Sequence, residues 1–315
     1  MKLRCAVLDD YQQVAESMAD WSSLDVETTF LREHLDGDAL VAAIEDREIL
    51  VLMRERTAFP RDLLTRLPKL RLLVTSGFRN ASIDLAAAAE QGITVCGTDS
   101  GITPPAELTW ALILGLARHL VAEDNAFHRG GWQHTIGTDL AGGTLGVIGL
   151  GRIGSQIAKV GLAFGMHVLA WSEHLTRERA AESGAELTGS LVDLLARSDI
   201  ATIHLALSDR TRGLVGAAEL AAMRPSAYLV NTARSGIVDT TALVDALRSG
   251  RLAGAGLDVF DVEPVPAGDA LRALPNVLAT PHLGYVTEGN YRTYYREAVE
   301  DIAAYLAGSP IRPLR

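Results

Sequence analysis

Lysine is almost missing from this sequence. Of 315 residues, only Lys2, Lys69 and Lys159 carry an ammonium group. No GxxxxGK(S/T) stretch exists, so a P-loop nucleotidase is excluded. None of the three lysines sits at a glycine-rich turn or strand end, which argues against Schiff-base chemistry. Cysteine is scarcer still. Cys5 and Cys96 lie far apart in apolar, strand-like runs and read as buried free thiols rather than a disulfide. Two isolated cysteines cannot build a cysteine-cluster zinc site, and no metal is expected. Positive charge is in deficit, with 29 Lys and Arg against 39 Asp and Glu, a net charge of −10. That balance argues against nucleic acid as the main partner. No apolar run reaches the roughly 20 residues a membrane span needs, so no membrane partner is expected. The opening MKLRCAVLDD reads directly into a strand without a signal-peptide pattern, and a cytoplasmic location is the expectation.

What is present is an ordinary globular composition, 48% hydrophobic and 22% charged. At roughly 100–200 residues per domain, the length predicts two domains. Short apolar runs alternate with helical patterns throughout, the signature of an α/β protein with parallel sheets. The first hundred residues predict strands near Leu3–Leu8, Ile49–Met53, Arg71–Thr75 and Ile93–Cys96. Helices are expected over Tyr11–Ala19, Asp38–Glu45, Arg61–Leu67 and Ile83–Glu90. A Gly/Pro-containing connector at Gly101–Pro105 then leads into one long helix, Ala106–Arg129, stopped by Gly130–Gly131. A second α/β series starts at Thr144, with strands at Leu145–Gly149, Val168–Trp171, Ile200–Leu205, Tyr228–Thr232, Ala255–Val259 and Val277–Ala279.

The first strand of that second series runs into G-x-G-x-x-G, with Gly149, Gly151 and Gly154 as its glycines, and a helical pattern follows. Gly149 permits the tight turn, Gly151 lets the backbone approach a pyrophosphate, and Gly154 lets helix and strand pack closely. Free N–H groups at the helix start would then bind phosphate charge. A glycine-rich turn alone is weak, since such turns also occur as plain loops. A strand before it, a helix after it and a second strand beyond make dinucleotide binding the better reading. An acidic residue is expected about 20 positions on, at the ribose. The residue closing the second strand is Ser172, with Glu173 adjacent and Arg177 and Arg179 close behind. NAD is favoured because of Glu173, while NADP stays open.

In doubly wound sheets, ligands bind beyond the carboxyl ends of the strands. Three later strands are followed there by Arg234, by Asp261 and Glu263, and by His282. An imidazolium can protonate a carbonyl oxygen as hydride arrives, and the neutral ring can take the proton back. A carboxylate on the other ring nitrogen would orient the ring and favour its charged form. A guanidinium can pair with a substrate carboxylate and polarise a keto oxygen. Singly, each residue reads equally well as a surface salt bridge or a loop contact. Together at one rim, they read as a site for 2-keto acid chemistry. His204, within a strand, reads as a pocket-shaping residue, and the other histidines as surface or packing residues.

With GVIGLGRIG at Gly146–Gly154, VNTARSGIVD at Val230–Asp239, GLDVFDVEP at Gly256–Pro264 and TPHLG at Thr280–Gly284, the sequence resembles the D-isomer-specific 2-hydroxyacid dehydrogenase family over essentially its whole length. The resemblance implies two doubly wound parallel-sheet α/β domains. One is a Rossmann-type cofactor domain over residues 101–287. The other is a smaller flavodoxin-like substrate domain built from residues 1–100 and 288–315, with the helix near Glu288–Leu306 crossing back to it. It implies His282 as acid/base, Glu263 as its partner and Arg234 as the substrate-binding arginine. Asp258 and the Thr232–Ala233 backbone would face the nicotinamide, and Arg152 and Ile153 would cover the pyrophosphate. A first-domain loop, Ser76-Gly77-Phe78 with Arg54 beside it, would hold the substrate carboxylate. The long helix would help build a homodimer. No extension of the kind that some phosphoglycerate dehydrogenases carry is expected.

This sequence departs from the family pattern in three places. Ser172 stands where aspartate is usual, Ser235 where glycine is common and Ala206 where proline is frequent. Glu263 argues against formate dehydrogenases of the same superfamily, which carry glutamine there. A cofactor-sensing, corepressor-like binding protein of the same fold is the competing class, and the intact Arg234, Glu263 and His282 set speaks against it. A short-chain reductase is ruled out because no Tyr-x-x-x-Lys pair exists. Phe78 with Tyr291, Tyr294 and Tyr295 hints at an aromatic wall for the substrate side chain, although tyrosines at helical spacing commonly serve packing.

Overall fold

The computed structural model describes residues 2–314, and they divide into two compact units. One comprises residues 2–101 and 286–314, the other residues 102–285.

The first unit carries five parallel strands: β1 (Leu3–Val7), β2 (Val26–Phe30), β3 (Ile49–Leu52), β4 (Leu72–Thr75) and β5 (Thr94–Gly97). Their order is β2-β1-β3-β4-β5, the flavodoxin-like arrangement. β3 and β4 read Ile-Leu-Val-Leu and Leu-Leu-Val-Thr and are buried at every position, as central parallel strands must be when both faces are covered. β2 escaped the sequence reading because it is an edge strand, Val-Glu-Thr-Thr-Phe, with no continuous apolar run. The helix expected over Tyr11–Ala19 shrinks to Ala15–Met18. Asp10 is the reason: its carboxylate accepts the N–H groups of Val14 and Ala15, and Gln13 turns left-handed at φ 57°. Side-chain capping of this kind competes with helix formation.

The helix Glu288–Leu306 belongs to this unit, and its tyrosines correct the aromatic-wall expectation. Tyr291, Tyr294 and Tyr295 are buried, with Tyr295 stacked edge-on against Trp21 and Tyr291. They are core residues. The chain then returns to the open edge of β5, where Gly97 N–H donates to Arg312 O and Leu314 N–H donates to Val95 O. Covering an edge strand in this way removes an aggregation template.

Arg312 Nε anchors that return by donating to Asp301 Oδ1 at 3.0 Å. Asp301 is fully buried, and among the described residues its Oδ2 finds no hydrogen-bond donor. Burial pushes its carboxyl up to about 7, with Arg312 opposing the shift. Because that value lies above the unfolded one, Asp301 favours the fold in acid, and this contribution is lost as pH rises through about 7. Thermal melts should therefore show Tm decreasing between pH 5 and pH 8, and the Asp301→Asn variant should flatten that slope. An unchanged slope would rule out Asp301 as its source.

The second unit carries seven parallel strands: β6 (Thr144–Ile148), β7 (His167–Trp171), β8 (Glu186–Leu187), β9 (Ile200–Ile203), β10 (Tyr228–Asn231), β11 (Gly254–Leu257) and β12 (Val277–Ala279). The order β12-β11-β10-β9-β6-β7-β8 is a Rossmann sheet with one added edge strand. Alternate strand residues feed two separate cores. Ile148, Ile203 and Leu229 pack with the helices Leu191–Arg197, Ala217–Ala222 and Thr240–Arg248. Leu145, Val147 and Val230 pack with Thr103–Ala117 and Arg152–Ala163.

The expected single helix Ala106–Arg129 is two, Thr103–Ala117 and Leu120–His128, broken where His119 turns left-handed at φ 51°. The first piece buries Ala106, Trp110, Leu112 and Ile113, whereas the second buries nothing, so no shared apolar stripe keeps them collinear. Among the described residues, no helix is long and apolar enough to cross a membrane.

Candidate active site

β6 delivers the chain into the glycine turn, at the switch point where β6 and β9 lie side by side but connect in opposite directions. Gly149 sits at φ 97°, a left-handed value that favours glycine. A Cβ on Gly154 would lie 2.1 Å from Gly149 O, so helix and turn can approach only without one. A Cβ on Gly151 would meet nothing within 4 Å. That empty space lies at the start of the helix Arg152–Ala163, where unpaired N–H groups favour an anion. The cradle fits a pyrophosphate, with Arg152 and Ile153 as the first residues of the helix.

One strand further, β7 ends at Trp171, and Ser172 follows. Glu173 does not stand alone there. Arg210, on the loop after β9, donates from one guanidinium nitrogen to Glu173 Oε2 at 3.0 Å and to His174 Nε2 at 3.1 Å. His204 lies just past β9 rather than inside a strand, hydrogen-bonded through Nε2 to Thr202 Oγ1 at 2.9 Å. Burial lowers its pKa to about 3, so it is a neutral residue that shapes the turn floor.

The neighbouring strands β10, β11 and β12 end at the same carboxyl rim. After β10, Asn231 Oδ1 accepts from Ala233 N–H and Asn231 Nδ2 donates to Arg234 O, closing a tight turn. Thr232 Oγ1 bonds Thr109 Oγ1 at 2.8 Å, which pins the same turn to the helix Thr103–Ala117. Arg234 then leaves the turn extended, donating to Ala233 O. Asn231 was absent from the sequence reading, although an asparagine closing an apolar strand is an Asx-turn signal.

After β12, His282 adopts φ 53°, an uncommon conformation for a non-glycine residue. Asp258, the first residue past β11, holds it there. One carboxylate oxygen accepts Thr280 Oγ1 at 2.6 Å and Leu283 N–H at 2.7 Å, and the other accepts Gly284 N–H at 2.8 Å. Burial raises the Asp258 pKa, and these donors oppose the rise. The His282 ring lies edge-on to Tyr285, 5.5 Å between centroids. Its Nδ1 meets Glu263 Oε2 at 2.6 Å, while Glu263 Oε1 is fixed by Phe260 N–H at 2.8 Å. With Nδ1 committed to the carboxylate, Nε2 is the nitrogen left for proton transfer. Asp261, the other acidic candidate after β11, is exposed.

In the first unit, Arg54, Ser76 and Gly77 meet at the ends of the adjacent strands β3 and β4. Arg54 N–H donates to Ser76 Oγ at 2.9 Å, and its side chain donates to Ser76 O at 3.3 Å. Arg54 and Gly77 both have positive φ, 52° and 84°. Asn80, not singled out by sequence, supports them by donating to Arg54 O at 2.7 Å. Phe78 is exposed. Among the described residues, no group of three potential ligands could hold a metal ion.

A Rossmann sheet with a glycine turn at its switch point defines the second unit as a dinucleotide-binding domain. Residues 110–284 match the family described as "D-isomer specific 2-hydroxyacid dehydrogenase, NAD binding domain". Glyoxylate reductase from Aeropyrum pernix is 40% identical over 290 residues, covering 89% of this chain and 83% of that protein. D-3-phosphoglycerate dehydrogenase from Methanocaldococcus jannaschii is 37% identical over 277 residues, 87% of this chain but 52% of that protein. The chain thus spans about half the length of that relative. The crystal structure of phosphoglycerate oxidoreductase from Vibrio cholerae superimposes with a TM-score of 0.93 at 35% identity, covering 98% of this chain and all of that one. The chain belongs to the D-isomer-specific 2-hydroxyacid dehydrogenase family, and its cofactor is NAD.

Proposed function

We propose that this protein reduces a small 2-keto acid to the D-2-hydroxy acid with NADH, and catalyses the reverse reaction with NAD. The carrying observation is the 2.6 Å contact of His282 Nδ1 with Glu263 Oε2, in a loop clamped by Asp258. The bound nicotinamide supplies the hydride. His282 Nε2 gives its proton to the carbonyl oxygen, so the keto group gains hydride and proton together. Glu263 stabilises the imidazolium before that transfer and orients the ring. Arg234 pairs with the substrate carboxylate and polarises the keto oxygen. Within the first unit, Arg54 with Ser76, Gly77 and Phe78 is a further candidate for binding substrate. Thr232, Ala233 and Asp258 line the nicotinamide side, with Asp258 acting mainly through the His282 loop.

A panel of 2-keto acids assayed with NADH tests this reading, with the enantiomer of the product identified. Turnover yielding D-2-hydroxy acid is expected. Failure across the whole panel, despite measurable NADH binding, would favour a cofactor-sensing protein instead.

The active form in this proposal is a homodimer. Helix Leu120–His128 buries no residue, while Phe127 is 61%, Trp132 74% and Ile136 92% exposed. Apolar side chains this large, clustered within about one arm of chain, mark an interaction surface. A second copy presenting the same arm covers it by two-fold symmetry. Sedimentation should give a dimer, and Trp132→Glu combined with Ile136→Glu should give a folded monomer. A monomeric parent chain would refute the assignment.

A further inference from the structure

We propose that Arg210, paired with Glu173, is a second determinant of cofactor choice, and that the pair excludes NADPH even though Ser172 leaves the strand end without a carboxylate. The inference rests on placing the adenosine ribose at the end of β7, beside the glycine turn.

Arg210 comes from the loop after β9, and Glu173 from the turn after β7, with β6 and its glycine turn between them. The two side chains meet 37 residues apart in sequence. Both are more than half exposed, so the ion pair contributes little to stability. Its consequence is electrostatic. Of the two groups that Arg210 meets here, His174 Nε2 at 3.1 Å and Glu173 Oε2 at 3.0 Å, only the carboxylate carries negative charge. Glu173 is therefore the group that neutralises Arg210 at this rim. Its carboxylate is also placed to accept a ribose hydroxyl and to repel a 2′-phosphate. Without Glu173, a guanidinium fork suited to phosphate would face the same position, beside His174.

Isothermal titration with NADH and with NADPH tests this without any substrate. The parent chain, Glu173→Gln, Arg210→Ala and the double variant are compared. The parent should bind NADH at least about tenfold more tightly than NADPH. Glu173→Gln should tighten NADPH binding by about tenfold, the scale of one exposed charge-assisted hydrogen bond, with NADH changed much less. Arg210→Ala alone should leave NADPH weak, and the double variant should lose the gain made by Glu173→Gln. Equal affinity of the parent for both cofactors would overturn the proposal, as would a gain that persists in the double variant. Binding of neither cofactor would overturn the dinucleotide site itself and this proposal with it.

Discussion

Alanine at position 282 is expected to lower kcat for keto acid reduction by about 10²–10⁴-fold, the range supplied by one positioned general acid. NADH affinity should change little, because the glycine turn and the β7 end lie on other strands of the sheet. Stopped-flow or steady-state assays read the first effect, and calorimetric titration of NADH reads the second. Reduction of a keto acid by NADH consumes one proton and oxidation releases one, so lower pH should favour reduction and higher pH oxidation. Glu263→Gln should lower kcat, because the ring then loses the carboxylate that orients it from 2.6 Å. Turnover that survives at parent levels in His282→Ala would remove the acid/base assignment. A coincident loss of folding is separable by comparing Tm, since the side chain is partly exposed.

Arg234→Ala is expected to cost about 10²–10³-fold in kcat/KM, similar to removing one preorganised donor from a developing oxyanion. Part of that loss should appear as a higher KM, because in the proposed role the same guanidinium also binds the ground-state carboxylate. Lysine should recover little. It restores the charge but not the planar fork that addresses carboxylate and keto oxygen together. If Arg234→Lys matched the parent chain, bidentate recognition would be wrong and simple charge attraction would suffice. The Asn231 turn that sets the backbone of Arg234 should remain intact in both variants, since it uses only main-chain atoms of that residue.

Much of this site could be read along the chain because its signals are local. A strand, a glycine turn and a helix occupy adjacent residues, and each rim residue follows its strand within a few positions. Residues bonded across long separations could not be read that way. The carboxylate of Asp258 accepts from residues 22 to 26 positions away, bonds that its own strand does not signal. Glu173 could not be paired with Arg210, since nothing in either local pattern points to the other. The tyrosines of the last helix looked like a pocket wall because helical spacing does not say what covers the face. Trp21, more than 270 positions earlier, decides that they are core.

The sequence by itself determined the two α/β series, the cofactor turn and the chemical identity of the imidazole, carboxylate and guanidinium at the rim. These follow from backbone sterics and hydrophobic period, which act within one element and its neighbours. Only the tertiary structure decided the left-handed setting of His282, the break at His119, the burial of Asp301 and the partner of Glu173. Each of those depends on where separate strands end in the folded sheet, and a hydrogen bond or a desolvated charge has no sequence period to reveal it.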